Sequence, residues 1–183
     1  MFNLGAAAHR ALFLAGTAQA ILAVLWWLIS LEMRWVGAAP SLFPEAAAHG
    51  WLMVYGLFPF FIFGFLFTAL PNWVEHGKIS RRDYLGSAGL MSLGAGLVYP
   101  GLIYPGLYLP GLASLGLGLH ATGWVLGLTA LYRILADSRH ADRRQPWLAW
   151  SAVAAGLIGA VSFLASVALD RPGWLNASLA LGA

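Results

Sequence analysis

The stretch from His49 to Trp73, HGWLMVYGLFPFFIFGFLFTALPNW, decides the fold. It holds no charged side chain between Gly50 and Trp73, and about 20 apolar residues of helix suffice to cross a bilayer core. A plain anchor would carry Leu throughout. Here His49 and Met53 stand four apart, Pro59 is interior, and Thr68, Pro71 and Asn72 close the run. At about 100° per residue, His49, Met53, Gly56, Phe60, Phe63 and Phe67 share one narrow helical face. That face sets a nitrogen and a sulfur donor above an aromatic stripe. Pro59 has no N–H to give and crowds the carbonyl of Tyr55, so a bend is expected there.

Composition points the same way. The 183 residues are 60% hydrophobic and only 9% charged, with mean hydropathy +0.75. A soluble domain of this size cannot hide that much apolar surface, because most of its residues touch solvent. The expected fold is all-α, a polytopic membrane helical bundle forming a single transmembrane domain over residues 1–183, with the lipid bilayer as its main partner. The pI near 9.6 accompanies a formal charge of only +3. The basic residues lie in short loops, as topology signals do, so no nucleic-acid partner is expected.

Cysteine is absent, which excludes disulfides, thiolate zinc sites, iron–sulfur clusters and cysteine nucleophiles. Any metal must be held by His, Met, carboxylate, Tyr or backbone oxygen. The pair His9-Arg10 precedes an apolar run longer than the roughly 7–15 residues of a secretory core, so that run reads as a first span.

Five spans are expected, at about Ala11–Leu31, Glu45–Leu70, Tyr84–Tyr104, Leu112–Tyr132 and Pro146–Leu169. Pro44 before Glu45 suits a helix start. The third span is rich in small residues, including Gly86, Gly89 and Gly94, which let helices approach closely in lipid. The Pro-Gly elements between Tyr99 and Gly111 should end regular helix and form a bent hairpin, with Tyr99, Tyr104 and Tyr108 at headgroup level. The remaining Gly173–Ala183 covers only about 16 Å as helix and reads as part of a sixth span. With the N-terminus inside, inner segments hold Arg10, Lys78, Arg81, Arg82, Arg133, Arg139, Arg143 and Arg144, against Arg34 and Arg171 outside. This bias places the N-terminus in the cytoplasm.

The histidines sort by position. His9, His76 and His140 lie in charged inner segments and read as solvated residues. His120 sits inside the fourth span, with no charged residue from Leu85 to Tyr132, where a polar side chain faces protein interior, a partner or a site. Gly116, Gly123 and Gly127 share its face, leaving room for a flat ligand; the alternative is an interhelical hydrogen bond. Imidazole and thioether suit haem iron and copper, so His49, Met53 and His120 are the candidate cofactor-binding residues, with His49 and His120 the candidate metal ligands. Their depths permit a shared site without demanding one. For Met53 the alternative is simple packing. No phosphate loop, nucleophile elbow or zinc-protease helix occurs, and catalytic residues are not identified.

The run His49-x-x-Leu52-Met53-x-x-Gly56, followed by Gly64-Phe65-Leu66-Phe67-Thr68-Ala69-x-Pro71-Asn72-Trp73, resembles the NnrS family. That family's pattern is approximately HAHEM-x-x-G and then GFLLTA-x-PNW. This sequence keeps His49, Met53 and Gly56 but carries Trp51 where the family often has His and Leu52 where it often has Glu. The resemblance implies a bacterial inner (plasma) membrane protein of the nitric oxide and nitrosative stress response, associated with haem and/or copper, and it supports His49 and Met53 as ligands. Family members are about twice this length, so it covers their N-terminal half, and a homo-oligomer or a C-terminal half would complete the protein. Two further readings stay open. A transporter or channel half would use the Pro59 bend and His120, and a structural membrane subunit would dock through its glycine-rich spans.

Overall fold

The computed structural model describes residues 7–37, 45–75, 77–103, 110–140, 142–169 and 172–182. Among them are seven α-helices and no strand: α1 (Ala8–Trp35), α2 (Glu45–Val54), α3 (Phe58–Trp73), α4 (Arg81–Ile103), α5 (Pro110–Asp137), α6 (Arg144–Ala168) and α7 (Pro172–Gly182). The long apolar runs become helices because every backbone polar group in a hydrocarbon setting must find its partner within the segment. Residues Ala8–Trp35, Ala46–Trp73, Gly111–Asp137 and Arg144–Ala168 are each long and apolar enough to cross a membrane. α4 has similar length but is diluted by Gly and Ser, and it packs along α5. Large apolar side chains face outward on these helices, among them Leu14, Leu25 and Leu28 of α1, Phe65 of α3 and Ile158 of α6. Such a belt is covered by acyl chains in a bilayer.

The second expected span is broken into α2 and α3 at 55–57, where Pro59 demanded a bend. The amides of Tyr55 and Gly56 both bond the Trp51 carbonyl, at 2.9 and 2.8 Å. The second of these is an i→i+5 closure that widens the last turn of α2. The broken pair α2/α3 is central, touching α1, α4, α5 and α7. α7 lies on α6 and reaches back to α2.

Charge collects at one end. The Ser138 hydroxyl donates to the Val74 carbonyl at 3.0 Å, Thr68 lies 3.5 Å from His9, and His140 lies 4.0 Å from Glu75. The start of α1, residues 74–75 and 77–81, and residues 138–140 and 142–144 therefore share one face of the bundle, the grouping that the Lys and Arg distribution required. Arg34 is near the other end of α1.

Several boundaries differ from the sequence reading. α1 extends over Ala8–Trp35, α5 runs through Arg133 to Asp137, and α3 continues past Pro71 to Trp73. α4 does not stop at the Pro-Gly elements but passes through Pro100 to Ile103. A proline near a helix end removes one ladder bond and leaves the earlier turns intact. Tyr99 is therefore helical, and its side chain is buried among the helices. Tyr104 and Tyr108 lie outside the described residues.

α4 and α5 approach at backbone distance. A Cβ on Gly94 would stand 2.5 Å from the Gly116 carbonyl oxygen and 2.8 Å from His120 Cα; one on Gly123 would stand 2.8 Å from the Met91 nitrogen. The Ser87 hydroxyl bridges the pair by donating to the Gly123 carbonyl at 2.8 Å. A side chain at Gly94 would force the helices apart, at a cost of about 1–3 kcal/mol or more. Gly94→Val should lower the thermal midpoint of the detergent-purified protein by several degrees. Gly96→Ala, on the same helix with nothing within 4 Å of its Cβ position, should leave that midpoint unchanged.

Candidate functional site

The site is built outward from the break at 55–57. A helix carbonyl normally accepts from the N–H four residues on, and for Tyr55 that residue is Pro59, which has none. The Tyr55 carbonyl thus needs a donor from elsewhere in an apolar interior. His120 of α5 supplies it. The ring lies between two carbonyl oxygens, with Nε2 2.8 Å from Tyr55 O and Nδ1 2.8 Å from Met91 O of α4. Trp51, Phe60 and Trp124 stand around the ring with centroids 5.4, 5.9 and 6.5 Å away, and the side chain is 1% exposed.

Carbonyl oxygens only accept, so a ring nitrogen facing one bonds it only when it carries hydrogen. The neutral ring therefore makes one of these bonds, and the imidazolium makes both. Met91 lies inside α4, where its carbonyl also serves the helix ladder, whereas Tyr55 O has no ladder donor. The neutral ring is best used with hydrogen on Nε2. As placed, both nitrogens are blocked and neither presents a lone pair to a metal. The glycine face beside His120 holds no space for a flat ligand either. Gly116 and Gly123 are filled by α4, and Gly127 by the Phe63 ring, whose nearest carbon is 2.6 Å from its Cβ position.

His49 has different surroundings. It is two residues from Trp51, so the two side chains leave α2 on opposite sides. Trp51 faces His120 and Phe163. His49 stacks on Trp27 of α1, with centroids 4.1 Å apart and planes 24° from parallel, while the Arg34 guanidinium stands 5.4 Å from the Trp27 ring centre. His49 Nδ1 is buried and has no hydrogen-bond partner. Met53, one turn along α2, is half-buried against the core. The structure thus keeps His49 with Met53 and directs His49 and His120 to different neighbours. No group of three or more His, Asp or Glu side chains able to hold a metal occurs among the described residues.

Tyr55 was not among the residues singled out from sequence, although Pro59 four positions on pointed at its carbonyl. Its hydroxyl donates to the Ser178 carbonyl of α7, in a slot where a Cβ on Gly182 would stand 2.7 Å from it. Gln19 and Tyr99 were missed as well. The Gln19 amide is buried beside Gly56 and pairs with the Tyr99 hydroxyl, while its Nε2 has no hydrogen-bond partner. A single Gln in an apolar run was the available signal. An apolar groove of about 650 Å³ opens between α3, α5 and α6, and neither His49 nor His120 lines it.

These features define a class: a helical membrane protein with a broken central helix, whose break is secured by a buried imidazole. The chain belongs to the NnrS family, whose description, NnrS protein, matches residues 3–183. No curated protein and no solved structure matches the chain.

Replacing His120 by Phe removes the donor to Tyr55 O and should destabilise the protein by about 1–3 kcal/mol. Pro59→Ala supplies residue 59 with an N–H that can close on Tyr55 O. The double variant Pro59→Ala/His120→Phe should therefore lose less than His120→Phe alone. A double-mutant cycle of thermal midpoints in detergent measures this; equal losses in both backgrounds would refute the link.

Proposed function

We propose that this chain is an NnrS-type protein of the bacterial inner membrane, with its N-terminus cytoplasmic, that works in the response to nitric oxide and nitrosative stress through haem and/or copper held at His49. The observation that carries the ligand assignment is the buried, unpartnered His49 Nδ1. An imidazole nitrogen in a mostly apolar setting without a hydrogen bond is a costly arrangement unless it has a ligand. Met53 adds a soft sulfur one turn away, the donor type that suits copper(I) or haem iron. Bound there, either group would supply a centre that binds nitric oxide and exchanges one electron.

The chain's own residues divide the work. His49 presents nitrogen, and the Trp27 face fixes the plane of its ring. His120 holds the break between α2 and α3, and so fixes the end of the helix that carries His49 and Met53. Trp51 stands where the family often has a second histidine and packs on His120 and Phe163. One imidazole and one thioether are fewer donors than such a centre uses, so the remaining ligands come from a second copy of this chain or from the further half that family members carry. The eight cations gathered at one end support the cytoplasmic placement of that end.

A second reading rests on the break itself. The Gly56 amide bonds Trp51 rather than Leu52, leaving the Leu52 carbonyl without its helical donor near the buried Gln19 Nε2. Broken helices of this kind line solute sites in transporters. Substrate-dependent flux in vesicles, without a stoichiometric cofactor, would favour that reading.

Visible spectra of oxidised and dithionite-reduced protein, with metal analysis on the same sample, separate the two. The cofactor reading expects a Soret band that shifts on reduction or stoichiometric copper, lost in a His49→Ala protein that still folds. His120→Phe should instead lower the midpoint while the folded fraction keeps its cofactor. A His49→Ala protein with full cofactor content would refute the assignment.

A further inference from the structure

At the basic end of the bundle, a cleft of about 550 Å³ opens between the start of α1, the end of α3 and the start of α4. Phe67 and Ile79 give it an apolar floor, while His9, Thr68, Lys78 and Arg81 line its polar side. No Asp or Glu is among the described residues that line it. The adjoining cleft, about 230 Å³, shares Lys78 but also carries Arg133, Asp83 and Asp137, so its charges balance. Asp83 follows Arg81 by two residues and lines that other cleft.

The polar wall is held in place. The Thr68 hydroxyl donates to the Gly64 carbonyl at 3.1 Å and lies 3.5 Å from His9 Nδ1. Asn72, also at the cleft, donates one amide hydrogen to the Thr68 carbonyl at 3.0 Å; its amide has a second N–H. The cleft stands at the end of α3, next to the exposed Trp73, the depth at which amphipathic aromatic rings meet headgroups. Two cations without a carboxylate attract a phosphate. An apolar floor serves no purpose for free phosphate but accommodates the glycerol and first methylenes of a lipid.

We propose that this cleft binds the phosphate of an anionic lipid headgroup, with Lys78 and Arg81 as its cationic contacts and the Thr68–Asn72 end of α3 as its fixed wall. The proposal gives the closing residues of the His49–Trp73 stretch a role separate from any cofactor at its other end. It does not depend on the cofactor reading.

Native mass spectrometry of the delipidated full chain, titrated with phosphatidylglycerol, phosphatidylcholine or inorganic phosphate, tests it. One phosphatidylglycerol should bind in preference to phosphatidylcholine. Lys78→Gln/Arg81→Gln should weaken it about 25-fold, or about fivefold per cation. Arg139→Gln/Arg144→Gln removes two charges at the same end but outside the cleft and should bind as the parent does. Lys78→Arg/Arg81→Lys, which keeps the charge, should retain binding. Equal affinity for the two lipids, or wild-type affinity in Lys78→Gln/Arg81→Gln, would overturn the proposal. So would binding of inorganic phosphate without phosphatidylglycerol, which would assign the site to a soluble anion.

Discussion

The contact between His120 Nε2 and the Tyr55 carbonyl is the constraint around which the bundle is arranged. Pro59 frees that carbonyl in a place where water cannot serve it, and an unpaired carbonyl there costs about 1–3 kcal/mol or more. The donor must therefore come from another helix, and it must arrive from a fixed direction. α5 provides it only because α5 lies against α4 at backbone distance, through Gly94, Gly116 and Gly123. The glycines are what allow His120 to sit deep enough to reach across to Tyr55.

Tyr55 then passes the constraint on. Its carbonyl ties the break to α5, and its hydroxyl ties the same residue to Ser178 of α7. The α2/α3 break, α5 and α7 thus meet at one residue that belongs to neither α2 nor α3. The arrangement separates two duties along a single apolar span. The α2 half carries His49 onto Trp27 of α1, with Met53 one turn further along the same helix, and the α3 half carries the Phe60–Phe67 stripe into the core and ends at the basic face. A cofactor at one end and a lipid phosphate at the other would share a scaffold without sharing a residue.

Much of this was legible beforehand, and the reasons differ by level. The all-helical membrane fold followed from apolar runs whose length and charge content leave few alternatives. The break followed from Pro59, because the chemistry of proline is local. The grouping of Arg10, Lys78, Arg81 and the 133–144 cations at one end followed from counting spans. The third span ends close to where it was expected, but regular helix survives the first Pro-Gly element, since Pro100 acts only on the last turn and α5 supports the rest. The flat-ligand space beside His120 failed for a related reason. Glycines on a helix face mark close approach, and whether a ligand or another helix approaches is settled only by packing.

The sequence by itself determined the class of fold, the position of the bend and the candidate donor residues, because each depends on composition or on atoms within four residues. The tertiary structure decided which donors remain free. His49 and His120 are the same residue type in similar apolar runs. One faces an aromatic ring with an unpartnered nitrogen, and the other is held between two carbonyls on separate helices. Met91 and Tyr55 lie 29 and 65 positions from His120. No local pattern brings them together; the close packing of α4 on α5 does.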